Sequence, residues 1–281
     1  ITGKPEIEFI AHRTPAATRA LLAARHWVGY ELYLRLARDL SSGKTLHAFP
    51  LGAEERRVRH AIALAARGES VALLCSGDPG IYAMASLVAE VLEETSLPDS
   101  WRRIALEIIP GISAFQLAAA RAGALIGHDF CAISLSDLLT PWPVIERRIR
   151  AAADGDFVIA FYNPRSRRRS WQLEKAVALL SSHRPPTTPV IVATGLGRPG
   201  EQIIHTTLQE LDPATVDMLS IVLVGSSESR NFRLPGGRPL AYTPRGYAGK
   251  RKKGKDFRAH ARGEPCPRPA AGHANGRKAP S

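Results

Sequence analysis

The sequence predicts a layered α/β fold in two domains, on three observations. Short apolar runs alternate with segments of helical periodicity, loops dense in Gly, Ser, Asp and Asn follow several of those runs, and a glycine-containing stretch interrupts the alternation once near residues 123–128. Taken in order, the pattern reads as a strand at 7–11 before a helix at 15–26, then 45–49 before 53–67, and 71–76 before 81–94. It continues with 104–109 before 114–122. Past the break, apolar character restarts at Phe130, and 157–162 precedes a helix at 167–183. Residues 190–194 and 220–225 read as further buried strands. Domains at 1–127 and 128–244 follow, both large enough to bury a core. No repeat of fixed period is visible.

Charge isolates a third region. The formal net charge is +12, but residues 245–281 hold 11 Lys+Arg against 2 Asp+Glu, leaving 27 against 24 in the body. The body is therefore nearly balanced and gives no sign of a polyanionic partner, so nucleic acid is not expected. The tail is rich in Pro, Gly and charge with hardly an apolar residue, and cannot offset its ordering entropy. It is expected to be disordered.

Cys75, Cys131 and Cys266 form no paired motif, so neither a disulfide framework nor a zinc site is expected, and a reducing cytoplasmic compartment fits. No apolar run approaches the roughly 18 residues of a membrane span. The chain begins with Ile1 and not Met, which leaves room for residues upstream. The histidines lack ligand spacing, and no metal is assigned.

Four loops carry the chemistry. Ser76-Gly77-Asp78-Pro79-Gly80-Ile81-Tyr82 joins a buried strand to a helix, the place where open α/β sheets bind ligands, and its glycines let backbone approach a ligand. A plain βα turn would use the same residues. Pro110-Gly111-Ile112-Ser113-Ala114 repeats the arrangement, with Ser113 also suited to cap the following helix. Ser134 to Trp142 and Phe161 to Arg169 complete the set. Asp137 and Thr140 in the third are candidate proton-handling groups, although such side chains often only cap turns. Arg165, beside Arg167, Arg168 and Arg169 in the fourth, is the candidate for pairing with substrate carboxylates, against the alternative of a solvated helical face.

On SGDPGIY, IPGISA, SLSDLLTPW with VIERRI behind it, FYNPRS and YTPRGY, the chain resembles the tetrapyrrole (corrin/porphyrin) methylases across about residues 14–247. Within that family the third and fourth motifs are similar to those of enzymes that methylate C17 of precorrin-3B or its cobalt counterpart. The resemblance implies a two-domain fold with its active site in the interdomain cleft, a homodimer, S-adenosyl-L-methionine as cofactor, and a tetrapyrrole substrate in cobalamin biosynthesis. By position, it implies cofactor contacts from Gly77, Asp78, Pro79, Ile81, Tyr82, Ser113, Ala114, Tyr162 and Asn163, with the 193–195 loop also near. One departure stands out: family members open with a strand and a GxGPGDP-like glycine loop, and here the strand-like residues 7–11 lead directly into His12-Arg13-Thr14-Pro15, without that loop.

The chemistry accounts for the lack of a nucleophilic triad. A sulfonium is already an activated electrophile and a reduced tetrapyrrole offers an electron-rich carbon, so alignment supplies most of the catalysis. Ring contraction at C17, which the resemblance implies, would use a positioned acid or base. Two rivals are set beside this reading. One is a methylase of the same fold acting on another substrate such as RNA or diphthine, and the other a non-catalytic homologue that lost turnover with its first loop.

Overall fold

In a computed structural model, residues 12–166 and 169–247 are described. The strand expected at 7–11, Arg167, Arg168 and the tail beyond 247 lie outside them. Helix α1 (Pro15–Ala23) starts where Thr14 Oγ1 accepts from Ala17 N at 3.1 Å and Pro15 supplies a preset φ. It stops three residues before the expected end. His26–Tyr30 instead forms β1, with Trp27 and Val28 fully buried and Trp27 Nε1 donating to Leu21 O at 3.0 Å. An aromatic and a β-branched residue in succession suit a strand packed on both faces.

The chain then forms α2 (Glu31–Leu36), β2 (Thr45–Phe49), α3 (Glu54–Ala65) and β3 (Val71–Leu74). These strands make a parallel sheet in the order β2-β1-β3, with His26 opposite both Thr45 and Val71. After α4 (Met84–Glu93) and the single turn α5 (Asp99–Arg102), residues 104–109 run without secondary structure. A strand is expected there, and among the described residues the segment pairs with no neighbour; Leu106 and Ile108 are 53% and 56% exposed.

Next come α6 (Ala114–Ala122), β4 (Gly123–Ala124), β5 (Phe130–Ser134), α7 (Trp142–Asp154), β6 (Val158–Tyr162), α8 (Gln172–Ser181), β7 (Pro189–Thr194), β8 (Gln202–Thr207) and β9 (Ser220–Val224). Five of these strands form a mixed sheet in the order β5-β6-β9-β7-β8. Its central strands are buried on both faces. Ile145, Ile149, Leu173 and Leu180 pack on one side, and Ala118, Ala119, Ala122 and Leu125 on the other. Each large buried aliphatic side chain contributes roughly 1.5–3 kcal/mol relative to exposure. Strands β10 (Arg230–Arg233) and β11 (Pro239–Tyr242) join β4 in a third sheet. At Gly123 a Cβ would stand 2.5 Å from Ala241 O, and φ is +136°; only glycine fits there.

The elements up to Thr243 belong to one compact unit; Pro244 starts a second. Among the described residues no helix is long and apolar enough to cross a membrane, and no group of three or more His, Cys, Asp or Glu could hold a metal ion.

Candidate active site

A cavity of about 570 Å³ opens where β3 and the 104–109 segment end. Gly77, Asp78, Pro79, Ile81, Tyr82, Ser113, Ala114 and Tyr162 all line it, so the first two sequence-identified loops and the end of β6 share one space. The loops meet backbone to backbone. A Cβ on Gly111 would fall 2.0 Å from Gly77 O, while Gly77 itself has φ +76°. The Asp78 carboxylate fastens them, accepting from Gly80 N at 2.8 Å and from Gly111 N at 3.1 Å. Both of its oxygens thus hold the site's backbone in shape.

Ser113 is buried and caps α6, its own N–H donating to Gln116 Oε1 at 2.9 Å. Tyr82 and Tyr162 stand with ring centres 5.0 Å apart. Tyr82 donates to Ala132 O at 2.9 Å, and Tyr162 Oη accepts from Phe115 N at 3.4 Å, so each ring ties one strand-end loop to a different element. Burial raises both phenols above the ordinary tyrosine value, partly offset by the Ser134 backbone at Tyr82 and by the Phe115 backbone N–H at Tyr162. Tyr82 and Asn163 hold left-handed backbone, with φ of 51° and 50°. Non-glycine residues pay a strain to do so, and such strain concentrates at functional loops.

The remaining candidates do not line the cavity. Asn163 donates from Nδ2 to Ser134 Oγ at 3.1 Å, joining the loops after β5 and β6, and its carbonyl accepts from Arg169 Nη1 at 2.8 Å. Arg165 donates to Pro213 O at 2.8 Å. Asp137 accepts from Gln172 Nε2 at 3.0 Å beside the start of α8, and Thr140 lies just before α7. Between them Leu138 and Leu139 are 81% and 97% exposed.

Sequence reasoning missed several lining residues. Tyr33, Leu117, Leu196 and Gly197 face the cavity, as do His12 to Thr14. Of the expected 193–195 loop, it is the next two residues, Leu196 and Gly197, that line the cavity. That loop is held by Glu201, which accepts from Gly197 N and from Arg121 Nε, both at 2.7 Å. Arg121 also donates to His12 at 3.2 Å. No local motif signals these residues; only long-range packing gathers them.

Cys75 at the cavity wall is a half-buried thiol, and desolvation pushes its pKa up to about 11. Nucleophilic thiols are shifted in the opposite direction.

Comparison with known proteins fits this geometry. The family profile of the tetrapyrrole (corrin/porphyrin) methylases matches residues 11–212, and the chain belongs to that family. A precorrin-3B C(17)-methyltransferase of Sinorhizobium sp is 45% identical over 237 residues, 84% of this chain and 92% of the relative. A probable cobalt-factor III C(17)-methyltransferase of Salmonella typhimurium is also 45% identical over 237 residues, covering 84% and 94%. Among solved structures, that of the methyltransferase CobJ superposes with a TM-score of 0.76 at 40% identity, covering 83% of this chain and 94% of that one.

Proposed function

We propose that this chain transfers a methyl group from S-adenosyl-L-methionine to C17 of precorrin-3B, or of its cobalt-containing counterpart, with contraction of the macrocycle, in cobalamin biosynthesis. The observation carrying the reading is the convergence of the 76–82 and 110–114 loops on a cavity that Tyr162 also reaches. The relatives named for this reaction are 45% identical over most of the chain.

The residues present fit the cofactor. The cavity lies within the 300–1,000 Å³ usual for small-molecule sites and has a mainly apolar lining with a few polar groups, Asp78, Ser113 and Tyr162 among them. Gly77, Asp78, Pro79, Ile81, Tyr82, Ser113, Ala114 and Tyr162 would hold it, with Asn163 supporting the rim. Once bound, the sulfonium supplies an electrophilic methyl group. The protein's part is alignment. Asp78 fixes the approach of the two loops, and the tyrosine pair narrows the cavity on the side of β5 and β6.

The 134–141 loop is the natural rim for a flat macrocycle. Tyr82 reaches Ala132 just before it, and Leu138 and Leu139 offer apolar surface. On this reading Asp137 and Thr140 handle the proton of the rearrangement, and Arg165, held by Pro213 O, meets a substrate carboxylate. The chain is read as two lobes, 1–127 and 128–244, in a cytoplasmic homodimer. Calorimetry with S-adenosyl-L-methionine and product masses after incubation with metal-free and cobalt-loaded substrate test the activity. A mass gain of one methyl group supports the proposal; cofactor binding without that gain supports a non-catalytic homologue. Sedimentation of the purified chain tests the dimer.

A further inference from the structure

Strands β7 and β8 are antiparallel neighbours with Thr194 opposite Gln202, and residues 195–201 between them make a longer connection than the about two to five residues of most hairpins. The connection folds back onto the cavity instead of running out into solvent. Leu196 and Gly197 line it, and Gly197 is buried. A Cβ on Gly197 would stand 3.3 Å from His12 Cδ2 and 3.9 Å from Leu117 Cδ2. Burial raises the pKa of Tyr33, on the opposite wall in α2, and the charge of Arg198 partly offsets the rise. The loop therefore reaches from β7 across to α2.

Its own backbone does little to fix that course. Gly195, Gly197 and Gly200 hold left-handed φ of 65°, 70° and 84°, and glycine gives up more conformational freedom on ordering than any other residue. Two turns, closed by Arg198 N to Gly195 O at 3.0 Å and Glu201 N to Arg198 O at 3.1 Å, curl the loop, and Gly195 N ties its base to Leu219 O at 3.2 Å. Farther out the attachment is Glu201. Its Oε2 accepts from Gly197 N and its Oε1 from Arg121 Nε, each at 2.7 Å, and the side chain is only 18% exposed. Arg121 lies in the last turn of α6, the helix whose Ser113 and Leu117 line the same cavity, and its Nη2 donates to His12 Nε2 at 3.2 Å. Charge-assisted bonds of this kind are roughly twice as strong as neutral ones.

We propose that Glu201 is a positioning residue for the cofactor: backed by Arg121, its carboxylate holds Leu196 and Gly197 against the cavity before any ligand arrives. The inference rests on the cavity being the S-adenosyl-L-methionine site. Glu201 does not itself line the cavity and acts through Gly197 N. Without the carboxylate the glycine loop samples many conformations, and the cofactor must supply the ordering free energy from its own contacts. Affinity then falls although every residue that touches the cofactor is still present.

Calorimetry with S-adenosyl-L-methionine and amide exchange on the cofactor-free full chain test this. In Glu201→Ala, Kd is expected to rise about tenfold or more, and exchange at residues 195–200 to speed by a similar factor while exchange in β7 stays as it was. Glu201→Gln keeps an acceptor for Gly197 N but gives up the charge facing Arg121, and is expected to recover part of the affinity. Arg121→Ala should weaken binding in the otherwise unaltered chain and add little in Glu201→Ala, since it works through the same carboxylate. An unchanged Kd in Glu201→Ala, beside measurable binding by the unaltered chain, overturns the inference and leaves the reading of the cavity intact; no binding by the unaltered chain overturns both. Exchange that speeds equally throughout β7 would make Glu201 a general stabiliser and overturn the positioning role, as would additive losses in the double variant.

Discussion

The Asp78 carboxylate accepts from Gly111 N at 3.1 Å across 33 residues of sequence, making two strand-end loops one structural unit. Asp78→Ala removes this bond and the one to Gly80 N. Hydrogen bonds to charged groups are each worth about 1.5–3 kcal/mol. Affinity for S-adenosyl-L-methionine, measured by calorimetry, is expected to fall at least tenfold; an unaltered Kd would remove Asp78 from the site.

Gly111→Ala tests the same contact from the other side. The added Cβ meets Gly77 O at 2.0 Å and Gly77 C at 2.8 Å, both backbone atoms that cannot swing away. Overpacking of this kind costs about 1–3 kcal/mol. Denaturant titration is expected to show that loss, together with weaker cofactor binding.

Tyr82→Phe removes the hydroxyl that donates to Ala132 O while keeping the ring against Tyr162. Stability is expected to fall by about 0.5–1.5 kcal/mol, the net worth of one hydrogen bond. Cofactor affinity should drop a few-fold as the loop loosens. Equal thermal melting curves and equal affinity would show the tether to be idle.

Cys75 gives a pH signature. Burial pushes its folded pKa up to about 11, above the ordinary thiol value, so over that interval the folded protein retains a proton that the unfolded chain releases. The contribution is fully present below about pH 9 and is lost as pH rises toward 11. Cys75→Ala is expected to flatten the decline of Tm in that window. Alkylation of Cys75 at pH 8 should be much slower in the native protein than in denaturant, read by mass spectrometry.

Trp27→Ala tests the first sheet. The indole is fully buried and its N–H is satisfied by Leu21 O. Loss of a core aromatic costs about 3–5 kcal/mol, and urea unfolding should register it.

By itself the sequence determined the α/β class, most helices and the two strand-end loops that line the cavity. Those features are local: periodicity marks the helices, and glycine beside Asp, Ser and Pro marks the turns. It misplaced what depends on partners. The segment 23–30 carries helix-compatible residues before Trp27, and only burial between β2 and β3 makes it a strand. Residues 104–109 carry a strand's composition yet pair with no other described segment, and a ladder needs a neighbour as well as a propensity. Strand β8 has a weak signal and exists as the edge partner of β7. In the site, tertiary structure alone chose among the candidates. It set Gly77 through Tyr82, Ser113, Ala114 and Tyr162 around one cavity, brought Tyr33, Leu196 and Gly197 to it, and left Asp137, Thr140, Asn163 and Arg165 outside its lining. Sequence records which backbone each loop can adopt; which loops face each other is decided by the packing of sheets and helices far from them in the chain.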